Sequence, residues 1–404
     1  MKRRKRLLIN WVYSIAVGHT IEAARLADAY RRMNPDLEIG VMINARAGIE
    51  IAECLPQIDH FYGIDVLKFT GDADNSDVFA DIDPEWDYVL TDPRHEKPMF
   101  WAALDQCEEA FRAFIRPGIV NKGYDFFTGF PEFLNRPLEL MLPETAKSFA
   151  AQFITKDAGR RISMILGSGH EPCRTPPMIF WRQLCEALIR EFDDVEIILL
   201  GALGGTGTRT EGLVPADIEN LVSELPQVRD GFDKGLLNQL AVAETCDLHI
   251  SPHTGMSFAV QAVGVPWLVL SGANTSEQLL NGVPFFCVFP EYEQFPCYPC
   301  YPRHERVLEE CKERRTNGAP YLCLTEAALS PKLPEILDAA RRLVNREMTY
   351  HECFDRHYPE LLARKNLQPG AWFFDGGRAI VRDDYIFGGL SGRNSNKSMD
   401  SAKP

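Results

Sequence analysis

Long apolar runs are missing from this 404-residue chain. None reaches the roughly 18–20 residues that a bilayer-spanning helix needs, so an integral membrane protein is not expected. Positive charge is scarce as well. Lys and Arg number 43 against 57 Asp and Glu, for a formal net charge of −14. General attraction to nucleic acid is therefore excluded. A small anionic ligand is not, because backbone N–H groups and single cations act locally. Glycine has no period of three and no heptad persists, which excludes a collagen-like or coiled-coil rod. A secretion signal is also not expected. The basic run Lys2-Arg3-Arg4-Lys5-Arg6 leads into Leu7-Leu8-Ile9, but the apolar stretch is short and no small-residue cleavage site precedes Glu22. The expected location is cytoplasmic. The basic run reads as a solvated lead into the first strand, with weak peripheral contact to anionic lipid as the alternative. Cysteine is odd in number, at eleven, so a disulfide framework is not expected.

Apolar material, at 45% of residues, is ample for two cores. Short apolar runs alternate with helical periodicity. Strand candidates are 6–12, 37–43, 60–66 and 88–90, with helices at 21–33 and 98–115. After a weakly patterned stretch the alternation restarts. Strands at 162–166, 195–200, 247–251 and 266–271 interleave with helices at 177–192, 217–224, 236–244 and 257–263. This pattern predicts an α/β protein built from parallel sheets in two doubly wound domains. The boundaries read as 1–155, 156–345, a helical extension over 346–387 and a disordered, Gly/Ser/Asn/Lys-rich tail over 388–404. Ligands of such sheets bind outside the carboxyl ends of the strands, so the strand-to-helix turns are the places to search.

One turn is Ser251-Pro252-His253-Thr254-Gly255-Met256-Ser257, between a strand and an apolar helix. Thr254 or His253 can cap that helix, and its first N–H groups can hold a phosphate. Ala259, Ala262, Gly264 and Pro266 follow, then a strand and the polar turn Gly272-Ala273-Asn274-Thr275-Ser276. This stretch resembles the donor-binding segment of the heptosyltransferase-like glycosyltransferases, family 9. The shared residues are Thr254, Gly255, Ala259, Ala262, Gly264 and Pro266. Two positions depart from that family: its aspartate is His253 here, and its histidine is Phe258. Both family positions lie near the donor's phosphates and sugar, so the departures imply an altered donor.

A second matching stretch covers 167–181. The family carries a basic residue shortly before a Pro and a Trp, where the cation meets the donor phosphates. Here Arg174 precedes Pro176-Pro177, and Trp181 follows. His170 shares the turn. The glycine-rich turn opening at Gly201 resembles the family's nucleoside turn, with Glu211 the nearest acid to the family's glutamate. In the first domain the family uses an aspartate as general base. That aspartate is absent, and His19 and Glu22 are the replacements, with Asp92 and His95 in a later polar turn as runners-up.

Cys297, Cys300, Cys311 and Cys323 form a cluster whose four thiolates suit tetrahedral iron or zinc. Some relatives of the resembled family hold a structural iron in such a cluster. A closed shell of four thiolates leaves no open position, so the metal would be structural.

The resemblance implies a GT-B fold, two Rossmann-like domains facing a central cleft. It implies transfer of a sugar from a nucleotide-diphosphate donor, ADP-heptose or another, to an acceptor hydroxyl with inversion and without a catalytic divalent metal. The acceptor can be a glycan, a protein or a secondary metabolite, and a homo-oligomer is left open. Two other readings stand beside it: a nucleotide-sugar epimerase on the same fold, and a catalytically degenerate, metal-stapled interaction module.

Overall fold

The computed structural model describes residues 3–12, 16–70, 75, 77–91, 102–116, 137–169, 172–204, 210–272, 282–298, 308–365, 374–375 and 378–379. The chain divides into two compact units, Met1–Met141 with Gln368–Pro404, and Leu142–Leu367.

The first unit holds four parallel strands: β1 (Arg6–Trp11), β2 (Glu38–Asn44), β3 (His60–Ile64) and β4 (Tyr88–Thr91). Their order is β3-β2-β1-β4. β1 pairs with β2 from Arg6 opposite Glu38 to Trp11 opposite Ile43. The central strands are buried almost throughout, whereas edge strand β3 exposes His60 and Gly63. Helix Ala102–Phe114 turns Ala103, Leu104, Cys107 and Phe111 into a core with Leu8, Met42, Ile64, Trp86 and Val89. That spacing is one face of a helix. Gly40 is required where the Trp86 indole crosses β2, since a Cβ there would lie 2.5 Å from the ring.

Of the basic run, Arg3, Arg4 and Lys5 are exposed, as the sequence predicts, and Arg6 is half-buried. Lys5 pairs with Asp87 at 2.9 Å, and Arg6 pairs with Glu38 at 2.9 Å and Asp83 at 2.6 Å while its guanidinium lies over Trp86. These acids neutralise the charge that an anionic surface would need.

The second unit holds six parallel strands: β5 (Arg160–Met164), β6 (Val195–Leu199), β7 (Val228–Asp230), β8 (Leu248–Pro252), β9 (Trp267–Leu270) and β10 (Phe285–Val288). The sheet order is β10-β9-β8-β5-β6-β7. β6, β8, β9 and β10 are buried at every residue, which explains why they are mostly apolar, with Glu196, His249 and Ser251 the buried polar exceptions. Helix Met178–Glu191 buries Phe180, Trp181, Leu184, Cys185 and Leu188.

The units part at 141/142, whereas the sequence placed the boundary at 155/156. Helix Glu144–Phe153 packs against helix Leu236–Glu244 and so belongs with the second sheet. Helix Tyr350–Lys365, within the expected extension, packs on β10 through Cys353 and His357, both buried. Tail 388–404 lies outside the described residues. Among the described residues no helix is long and apolar enough to cross a membrane.

Candidate nucleotide-sugar site

The six-stranded sheet starts in its middle. From β5 the chain builds outward through β6 and β7, then returns to lay β8, β9 and β10 on the other side. The switch point falls between β5 and β8, the place beyond the carboxyl ends of the strands where sheets of this kind bind their ligands. The two strand ends are stitched together, because Ile165 N–H donates to Ile250 O at 3.1 Å. The turn carrying Arg174 and the turn carrying Thr254 therefore leave the sheet from adjacent strands.

The turn after β5 is locked by Thr175, which is 3% exposed. Its Oγ1 accepts from Ser168 N–H at 3.3 Å and donates to Glu211 O at 2.7 Å. Glu211 N–H in turn donates to Ser168 O at 3.0 Å, and Gly169 bridges Thr210. Gly167 leaves the space this lock needs, for a Cβ there would come within 2.6 Å of Thr175 Oγ1. A single-turn helix, Pro172–Arg174, closes with Thr175 N–H on Pro172 O at 2.9 Å. The backbone of half-buried Arg174 is thus fixed one residue before the lock. Sequence reading singled out Arg174 and missed Thr175, because a buried threonine after a glycine turn carries no motif of its own.

The turn after β6 brings a correction. Gly201 has φ of +142°, a conformation that only glycine adopts readily, and Phe232 packs where a Cβ would sit. Its N–H is already given to Gln239 Oε1 at 2.7 Å and its carbonyl accepts from Asp233 N–H at 3.0 Å. Gly201 therefore shapes the turn and offers no amide to a ligand. Asp233 also holds the loop, accepting from Leu203 and Gly204 N–H at 3.0 and 3.3 Å.

After β8, Thr254 occupies the N-cap of helix Gly255–Ala262, but its side chain makes no cap hydrogen bond. The first amides of the helix, at Gly255 and Met256, have no intrahelical acceptor by the geometry of a helix start. His253, Thr254, Gly255 and Met256 are all half-buried. The His253 ring packs edge-on against Phe258 at 5.3 Å and against Trp267 at 6.3 Å, and Phe258 meets Trp267 at 5.3 Å. The two residues that depart from the resembled segment thus pack on each other.

Ser257 differs from expectation. It is fully buried, its N–H donates to Thr254 O at 3.1 Å, and its hydroxyl lies between His249 Nε2 at 2.9 Å and Ser251 Oγ at 2.7 Å. It faces the sheet rather than a ligand. His249 itself is held neutral, because burial pushes its pKa down to about 3.

In the first unit, helix Val17–Met33 starts four residues before the apolar periodicity at Ile21. His19 and Glu22 therefore share one helix face at three-residue spacing. His19 Nδ1 lies 2.7 Å from Glu22 Oε2, which also accepts from Trp11 Nε1 at 3.3 Å. A carboxylate that holds one imidazole nitrogen orients the ring for general-base work. Sequence reading chose these two residues separately; the structure makes them a pair.

Asp92, His95 and His170 lie outside the described residues, as does Cys300. Ten cysteines are described, with no disulfide among them. Burial pushes the thiols of Cys107, Cys185 and Cys246 up to about 12, so they stay protonated and inert. Burial also raises the Cys311 pKa, with the Cys297 thiol near enough to add to the rise. Among the described residues no group of three or more His, Cys, Asp or Glu could hold a metal ion.

By sequence, no protein-family model and no curated protein matches the chain. By structure it is similar to the E. coli ADP-heptose LPS heptosyltransferase II, with 12% identity, a TM-score of 0.54, and coverage of 85% of this chain and 99% of the other. It is similar to a family 9 glycosyl transferase from Veillonella parvula, with 15% identity, a TM-score of 0.54, and coverage of 85% and 97%. At these identities the likeness is one of fold. The two parallel-sheet units are the Rossmann-like halves of the GT-B fold of heptosyltransferase-like proteins, the fold class expected from the sequence.

Proposed function

We propose that this chain is a glycosyltransferase that moves a sugar from a nucleotide-diphosphate donor, ADP-heptose or another, to an acceptor hydroxyl with inversion. One observation carries the reading. The switch point of the six-stranded sheet presents an uncapped helix start at Gly255-Met256 on the strand next to the locked turn of Arg174. Amide donors and a guanidinium are the two groups that suit a diphosphate leaving group.

In the proposed reaction the bond between the anomeric carbon and the diphosphate oxygen breaks. The electron pair leaves with the nucleoside diphosphate, where Arg174 and the Gly255 and Met256 amides stabilise it. The acceptor oxygen bonds to the opposite face of the same carbon, which inverts it. His19 takes the hydroxyl proton, and Glu22 orients the imidazole and stabilises its cation. His253 and Phe258 stand where the resembled family has aspartate and histidine, so the donor sugar or nucleotide is expected to differ from that family's.

The test is acceptor-dependent release of nucleoside diphosphate, followed with ADP-, GDP-, UDP- and dTDP-sugars against sugar, hydroxy-peptide and polyol acceptors. His19→Ala is expected to slow release by about 10²–10⁴-fold with donor affinity kept. Glu22→Gln should slow it less. Wild-type rates in His19→Ala would reassign the base. Isomerised donor sugar without any acceptor would make the chain an epimerase instead.

A structural metal at Cys297, Cys300, Cys311 and Cys323 is a separate part of the proposal. What supports it is the electrostatic interaction of the Cys297 and Cys311 thiols; described Cys323 does not complete a group of three with them, and Cys300 lies outside the described residues. Metal analysis of purified protein should find one iron or zinc per chain, lost in Cys297→Ser. Metal-free wild-type protein would remove this part and leave the donor site untouched.

A further inference from the structure

Beneath the start of helix Gly255–Ala262 lies a line of polar groups that the proposed reaction does not use. Ser163 on β5, His249 and Ser251 on β8, Ser257 in the first helical turn and Trp267 on β9 are all 0% exposed. Trp267 Nε1 donates to Ser251 Oγ at 2.8 Å. Ser251 and Ser257 hydroxyls meet at 2.7 Å, Ser257 Oγ meets His249 Nε2 at 2.9 Å, and His249 Nδ1 meets Ser163 Oγ at 3.0 Å. Ser163 Oγ donates onward to Leu248 O at 3.4 Å.

Chemistry gives this line a direction. An indole N–H only donates, so Ser251 Oγ is the acceptor at that end. Ser251 then donates to Ser257, and Ser257 donates to Nε2. The imidazole proton sits on Nδ1 and goes to Ser163. Each hydroxyl then gives one hydrogen bond and takes one, and neither imidazole nitrogen is wasted. The low pKa of His249 agrees with a neutral ring that accepts at Nε2.

Burying five polar groups is costly unless all are paired, and a packed apolar cluster would fill the same volume. What the polar line adds is orientation. Ser257 is the third residue of the helix, and its hydroxyl is clamped from two sides to β8. That clamp fixes the rotation of the first turn, and with it the aim of the Gly255 and Met256 amides.

We infer that His249, through Ser257, is a positioning residue that aims the helix-start amides at the donor's diphosphate. This inference rests on the donor-site reading above. His249 touches no substrate; it acts through the turn it holds.

The experiment compares wild type with Ser257→Ala and Ser163→Ala, small changes at the two sides of the imidazole. ADP, GDP, UDP and dTDP are titrated by calorimetry, and the nucleoside of whichever diphosphate binds is measured by competition. Loss of both buried hydrogen bonds of the Ser257 hydroxyl should weaken the diphosphate by about tenfold or more in Ser257→Ala. Nucleoside affinity should stay within twofold, and Ser163→Ala should fall between wild type and Ser257→Ala. Equal diphosphate affinity in all three proteins overturns the inference and leaves the donor site standing. Equal loss of nucleoside and diphosphate overturns it too, since the residues would then serve stability alone. Wild type that binds none of the four diphosphates overturns the donor-site reading and this inference with it.

Discussion

Arg174→Ala is expected to abolish the thermal stabilisation that the cognate nucleotide sugar gives the wild-type chain. A ligand held at about 100 times its Kd stabilises a protein by about 2.7 kcal/mol. For a unit the size of Leu142–Leu367 this is a rise in Tm of roughly 5–10 °C. A guanidinium that grips phosphate contributes about 1.5–3 kcal/mol per charged hydrogen bond. Losing a bidentate contact weakens binding by roughly 100-fold, which cuts the shift to about 1 °C at the same ligand concentration. Arg174→Lys keeps the charge without the fork and should recover only part of the shift. Thr175 Oγ1 holds the turn through Ser168 N–H and Glu211 O, and both bonds remain in Arg174→Ala. An undiminished ligand shift in Arg174→Ala would remove Arg174 from the site.

Acid should unfold this protein earlier than its surface ion pairs alone would dictate. His249 and His357 are both buried neutral, and desolvation pushes each pKa down to about 3. In the unfolded chain each returns to the ordinary histidine value near 6.5. The unfolded state therefore binds more protons across the window from about 6.5 down to 3. Stability is fully present above pH 6.5 and is lost as pH falls through that window. Two such groups give a loss of roughly 2–3 kcal/mol between pH 6 and pH 5. His357 accepts at Nε2 from Cys287 N–H at 3.2 Å, amid Phe285, Phe286 and Phe289, and Arg356 nearby further disfavours its cation. Denaturant titrations at stepped pH supply the check. His357→Leu should lower stability at pH 7 yet flatten the slope between pH 6 and 5 by about half. A wild-type stability that is level from pH 7 to 5 would show that neither ring is held neutral.

The second unit was legible because its central strands are largely buried and so read as mostly apolar runs. Helix Leu236–Glu244 appears with the bounds read from the sequence, and β6 ends within one residue of them. β7 escaped because three residues at a sheet edge carry no pattern. β10 escaped because Phe285–Val288 follows a proline and resembles any short apolar loop. In the first unit the start of helix Val17–Met33 was hidden, since Gly18 and an uncapped Ala16 give no helix-start signal. That hidden turn is what joins His19 to Glu22.

The site was legible only where charge or glycine marked it. Arg174 and Thr254-Gly255 stood out as residue types suited to phosphate. The roles of Gly201 and Ser257 were not legible, because each sits in a suggestive turn and only hydrogen-bond partners reveal that it faces inward. His249, Thr175 and Gln239 carried no signal at all. A polar residue inside an apolar run looks like noise until its partners on other strands are known.

Calorimetric titration of the wild-type chain with ADP, GDP, UDP and dTDP tests the central claim most directly. The account predicts saturable binding of at least one of them, at one site per chain, and its loss on replacing Arg174 with alanine. Failure of all four to bind would contradict it.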